Sequence, residues 1–145
     1  MNSPSAIFVY GTLKRGQCRE KCWPLPPVGV HSAWTFGQLF DLGPYPALLP
    51  GQDRIMGQLW VYREPEMAQV LAVLDEIECT DQPGQANEYD RVIVWVTQFD
   101  TGQTVPAYAY LYADAYFLQK SARNVPATSA IEGHRYVTWP ELASA

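Results

Sequence analysis

The chain has 145 residues, 48% of them hydrophobic, which suffices for one domain with a buried core. A net charge of −5 with only ten Lys and Arg argues against a nucleic-acid surface, because neutralising phosphate needs clustered cations. Three cysteines, Cys18, Cys22 and Cys79, form neither a paired zinc spacing nor an even disulfide set. The first six residues lack a basic and apolar leader pattern, and no run approaches the roughly 18 apolar residues of a membrane span. These features predict a cytoplasmic protein with reduced thiols, no metal and no membrane partner.

In chain order, Ile7 to Tyr10 is four β-branched or aromatic residues closed by Gly11, a short buried strand. The segment CWPLPPVGV carries three prolines and is expected to run extended over the surface. AWTFGQLFDLG alternates, placing Trp34, Phe36, Gln38 and Phe40 on one face of a half-buried strand, and GPYPALLPG reads as a turn-rich loop bearing Tyr45. Arg54 to Arg63 is a further strand with Gly57 at a bulge or a close backbone approach. EPEMAQVLAVLDEIE is a helix: Pro65 and Glu66 suit a first turn, and Met67, Val70, Leu71, Leu74 and Ile77 form one apolar stripe. Arg91–Phe99 and Thr104–Tyr112 alternate around Asp100-Thr101-Gly102 as a hairpin, with Pro106 calling for an edge or a bulge.

Together these elements predict an α+β protein: a small, mixed, mostly antiparallel sheet curled into a barrel-like core with one main helix. Residues 1–145 read as a single domain, with a core over about 7–112 and a less regular tail over 113–145.

The helix ends in Asp75, Glu76 and Glu78, and at about 100° per residue they point in different directions. Glu78 falls in line with Leu74, Leu71 and Met67, so its carboxylate aims at the apolar side if the helix extends that far; Glu76 points away and Asp75 lies at the margin. Burial and the negative end of the helix would raise its pKa, the property of a general acid/base. Two plainer readings stand beside this one: a buried Glu satisfied by backbone donors, or a helix ending at Asp75 with Glu78 in solvent.

The opening segment VYGTL offers a second handle. A strand ending in Tyr-Gly can expose successive backbone N–H groups as an anion-binding nest, with Gly11 permitting a positive φ or a close approach and Tyr10 adding a hydroxyl donor. The bland alternative is an ordinary turn. Lys14 and Arg15 read as a solvated turn that could also attract an anionic substrate. His31 and His134 are far apart, and no nucleophile elbow, phosphate loop or dinucleotide fingerprint is present.

FVYGTLKRGQ, GPYPAL, GQLWVY, LDEIE and YDR occur in an order that resembles the γ-glutamylcyclotransferase-like family, and more narrowly its Tyr-Gly-Thr-Leu branch, which includes the γ-glutamylamine cyclotransferases. The resemblance covers about Ile7 to Tyr112. It implies a small-molecule γ-glutamyl substrate held by Tyr10, Gly11, Thr12 and Leu13, with Tyr45 and Tyr89 as further substrate-binding residues and Glu78 as the catalytic acid/base. It implies no cofactor, since the substrate's own α-amine is the nucleophile, and 5-oxoproline and a free amine as products. This chain departs from the family in having Cys79 where glycine is usual, followed by the longer loop TDQPGQANE, which bears on the pocket mouth. The competing functions are a non-catalytic module binding a small carboxylate or peptide end in the same pocket, and an interaction domain using WPLPP as a polyproline ligand. The leaving amine and the oligomeric state are not encoded in any of these motifs.

Overall fold

A computed structural model of the protein describes residues 3–140; the outermost residues of the 1–145 span lie outside the described part. Its centre is a sheet that closes on itself. Strands β1 (Ala6–Val9), β2 (Gly29–Asp41), β3 (Pro46–Val61), β4 (Tyr89–Gln98) and β5 (Thr104–Tyr112) run in the order β2-β4-β5-β1-β3, and β2 pairs with β3 to complete a five-stranded barrel. Within the barrel all pairings are antiparallel except β1 with β5, which meet at Ile7 and Tyr108.

The pleat of β1 shows how the core divides. Phe8 and Tyr10 face the barrel interior, with Leu39, Leu48, Ile55, Leu59 and Val96, while Ile7 and Val9 face helix α1 (Glu64–Ile77). That helix buries Met67, Val70, Leu71 and Leu74 against the outside of the barrel, along the stripe its sequence predicts. A second helix, α2 (Ala115–Ser121), and short strands β6 (Arg123–Asn124), β7 (Ser129–Ile131) and β8 (His134–Val137) occupy the region after Tyr112. Strand β6 extends the sheet at β2, and β8 runs parallel to β3. No helix of the described residues is long and apolar enough to cross a membrane.

Two local expectations are corrected, and the edge position expected of Pro106 is met. The alternation in β2 is present, but the inward set over its first half is Ala33, Thr35 and Gly37; Phe36 is 53% exposed, because the narrow barrel interior accepts the small residues and turns the large ones out. A shift in register after Gly37 then brings Phe40 into the helix-side core. GPYPALLPG is not wholly loop: Pro46 already begins β3, whose pairing with β2 skips from Leu49 to Asp53. Pro106 lies within β5 opposite Trp95, but the Trp95 carbonyl turns to the Thr35 hydroxyl (2.7 Å), and Pro106 lies beyond Tyr108, the β5 residue that meets β1.

Candidate active site

The pocket opens where β1 ends, at the junction of the barrel interior and the helix-side core. It has an empty volume of about 390 Å³ including its open mouth, and Tyr10, Gly11, Thr12, Leu13, Tyr45, Glu78 and Tyr89 all line it. The structure thus gathers at one place these seven residues, which the sequence spreads from Tyr10 to Tyr89.

Gly11 is required by contact. A Cβ there would lie 2.7 Å from Cγ and Cδ of Pro46, and Gly11 is not among the residues with positive φ. From Gly11 the chain folds back on itself: the Lys14 N–H donates to the Gly11 carbonyl (3.2 Å) and the Arg19 N–H to the Thr12 carbonyl (2.8 Å). Thr12 and Leu13 are buried, yet among the described residues their backbone N–H groups have no acceptor. Two unsatisfied donors at the floor of a pocket suit an anionic ligand.

Glu78 is the residue immediately after α1 and keeps near-helical geometry, its N–H donating to the Leu74 carbonyl at 2.9 Å. Its side chain therefore continues the apolar stripe into the pocket. Burial pushes its carboxyl up to about 7; the nearby Arg19 guanidinium opposes that rise and the Glu88 carboxylate adds to it. Cys79 then turns left-handed with φ 54°, and the Thr80 N–H closes on the Asp75 carbonyl at 2.8 Å.

Tyrosines surround Glu78, and their hydroxyls are committed. Tyr10 donates to the Tyr110 carbonyl (2.5 Å), Tyr89 to the Pro46 carbonyl (2.9 Å) and Tyr110 to Asp75 Oδ1 (2.6 Å). Asp75 Oδ2 in turn accepts from Arg91 at 2.7 Å, so the Asp of LDEIE and the Arg of YDR are partners that tie the helix end to β4. Burial raises the pKa of all three phenols. They are fixed neutral walls, and the expectation that Tyr10 supplies a free hydroxyl donor is corrected: its proton is held by the barrel backbone.

The cation of the pocket is neither Lys14 nor Arg15. Lys14 Nζ donates to the Trp139 carbonyl (2.5 Å), and Arg15 lies over the Trp60 ring at 5.2 Å, with Glu20 3.8 Å from its guanidinium. Neither lines the pocket, whereas Arg19 does, its guanidinium 6.0 Å from the Tyr45 ring centre. Arg19 sits in a stretch without periodicity, and only the fold-back onto Thr12 reveals it. Among the described residues no group of His, Cys, Asp and Glu gathers as a metal site.

The chain as a whole is similar to known proteins. A family model described as γ-glutamyl cyclotransferase, AIG2-like, matches residues 7–137. An AIG2-like protein from Mus musculus has a similar structure at 26% identity, with 95% of this chain and 98% of that one covered and a TM-score of 0.64. An Arabidopsis thaliana protein known from its solution structure shares the fold at 22% identity, covering 78% and 72% of the two chains with a TM-score of 0.58. YkqA from Bacillus subtilis shares it at 24% identity and a TM-score of 0.53, the match covering 75% of this chain but 36% of that longer one. No curated protein matches the chain.

Proposed function

The chain belongs to the AIG2-like γ-glutamyl cyclotransferase family, and from that premise we propose that it cyclises a γ-glutamyl amine or amide to 5-oxoproline and a free amine, with Glu78 as general acid/base. The observation that carries this reading is a carboxyl group poised near neutrality beside two unsatisfied backbone donors and one cation, in a single pocket.

The substrate's α-carboxylate takes the N–H groups of Thr12 and Leu13, with Arg19 beside them. That anchor turns the α-ammonium toward Glu78 and leaves the γ-carbonyl within reach of the same nitrogen. Glu78 accepts a proton, the freed amine attacks the carbonyl carbon of the γ-amide, and a C–N bond forms as the five-membered ring closes. The tetrahedral nitrogen gives up its second proton, the original amide C–N bond breaks, and the leaving nitrogen departs as an ammonium, so charge and protons balance. Pre-orientation of this kind is worth up to about 7–11 kcal/mol, and the proton transfer about 10² to 10⁴ in rate. A carboxyl near pH 7 suits both halves of the task, since it must accept and then return a proton.

The test is 5-oxoproline release from γ-glutamyl amines, γ-glutamyl amino acids and glutathione, compared with Glu78→Gln. Product that vanishes in the variant supports the assignment. Tight binding of these compounds with no product from any of them would instead identify a binding module.

A further inference from the structure

Three consecutive peptide units after β1 form the pocket floor, and the carbonyl of each is bonded. The Gly11 carbonyl accepts from the Lys14 N–H (3.2 Å), the Thr12 carbonyl from the Arg19 N–H (2.8 Å) and the Leu13 carbonyl from Trp23 Nε1 (2.9 Å). These peptides are trans, so each N–H points away from its carbonyl, and a bond that fixes one fixes the direction of the other. The first two bonds thereby set the N–H groups of Thr12 and Leu13, the two donors without an acceptor. The third sets the Lys14 N–H, which is itself the donor to Gly11. The Thr12 N–H thus depends, through two peptide planes, on the indole of Trp23.

Trp23 is the one side chain among these three donors, and its surroundings hold it still. A short 3-10 turn over Glu20–Cys22 has Arg19 and Trp23 at its two ends, so the bonds to the Thr12 and Leu13 carbonyls come from one turn. The Trp23 ring stacks on the buried Trp60 ring at 4.2 Å with 2° between the planes, and on Tyr62 at 5.6 Å. After it, Pro24, Pro26 and Pro27 restrict their own φ angles and supply no N–H. The strap they form is fastened at the end of β3, by the Tyr62 hydroxyl on the Leu25 carbonyl (2.8 Å) and by the Val28 N–H on the Val61 carbonyl (2.7 Å).

Trp23 does not line the pocket, so it reaches a ligand there only through the bond to Leu13. Resting on the cyclotransferase reading, we propose that Trp23 is a positioning residue: by holding the Leu13 carbonyl, its indole N–H keeps the floor donors aimed at the substrate's α-carboxylate. That carboxylate takes no part in the bond changes and is gripped alike before and during ring closure. A looser floor therefore weakens binding and leaves the chemical step alone.

Trp23→Phe keeps a ring to stack on Trp60 and removes the N–H. KM for a γ-glutamyl amide is expected to rise about threefold to tenfold, the size of one hydrogen bond, with kcat and the pH of half-maximal kcat/KM unchanged. 5-Oxoproline and 2-pyrrolidinone differ only in the carboxylate, and calorimetry should show the wild-type protein binding the first more tightly. In Trp23→Phe that preference should shrink by about the same threefold to tenfold. Tyr62→Phe, which loosens the strap at Leu25 and leaves the Trp23 bond in place, should keep the wild-type preference. A preference that is absent from the wild type, unchanged in Trp23→Phe or equally reduced in Tyr62→Phe would overturn the proposal, as would a fall in kcat at unchanged KM. Failure of the cyclotransferase reading itself looks different, with no 5-oxoproline formed from any γ-glutamyl compound. Binding of the ligand pair to the same three proteins then decides the role of Trp23 by the same criterion.

Discussion

The molecule has two cores on opposite faces of one sheet, and they are built from different chemistry. Inside the barrel, Phe8, Leu39, Leu48, Ile55, Leu59 and Val96 pack around small residues, and Tyr10 brings the sole titratable group of that cluster. Between barrel and helix, Tyr62, Tyr89 and Tyr110 join the aliphatics, and each phenol donates to a fixed acceptor: the Leu25 carbonyl, the Pro46 carbonyl and Asp75. The apolar core holds the strands in place. The tyrosine-rich core sets where a carboxyl can be buried without being neutralised by a close ion pair, and the pocket lies where Tyr10 crosses from one to the other. Shape and reactivity thus come from separate layers.

That separation can be broken most sharply at Glu78. In Glu78→Gln, 5-oxoproline release should fall by about 10² to 10⁴, while fold and ligand binding persist. The same variant should change stability in a defined direction. The folded state holds the Glu78 proton up to about pH 7, whereas the unfolded chain releases it in the ordinary carboxylate range, so wild-type stability falls as pH rises through that window. Glu78→Gln should therefore melt higher than wild type at pH 8, by on the order of 2 kcal/mol allowing for partial exposure, and match it near pH 4.

Leu59→Ala, inside the barrel, should cost about 2–5 kcal/mol in denaturant unfolding yet leave the pH of half-maximal kcat/KM where it was. A shift of that midpoint would show that the cores are coupled. Tyr89→Phe removes the bond to Pro46 and should cost about 0.5–1.5 kcal/mol, with a larger effect on kcat/KM than on stability. Arg19→Gln tests the pocket cation: because the guanidinium holds Glu78 down, its loss should move the rising limb of the pH–rate profile to higher pH and raise KM. The smallest effect is expected at Cys79, whose left-handed φ favours glycine; Cys79→Gly should stabilise by at most about 1 kcal/mol, less whatever the Sγ bond to Gln85 contributes.

What could be read from the chain depended on how local the determining contacts are. The helix stripe and the direction of Glu78 follow from geometry within a few turns, and the hairpin from alternation about one turn. The faces of β2 did not follow, because nothing within Trp34 to Phe40 says which side meets the narrow interior of a barrel closed by distant strands. The pocket floor was legible as a strand ending in Tyr-Gly, but Arg19 was not, because it reaches the pocket only by folding back onto Thr12. The resemblance to a known family pointed to Glu78 and to the loop after β1, which the pocket brings together, and it carried no information about residues where this chain differs.

The fastening of the segment after Glu78 has a consequence for how such proteins can diversify. Because Thr80 bonds Asp75 and Tyr89 at one end, and Glu88 bonds Cys79 at the other, the strain of a longer or shorter tip around Gly84 stops at the clamp. That tip is a graft point, where new sequence can be tried against new cargo while the inherited chemistry stays in register.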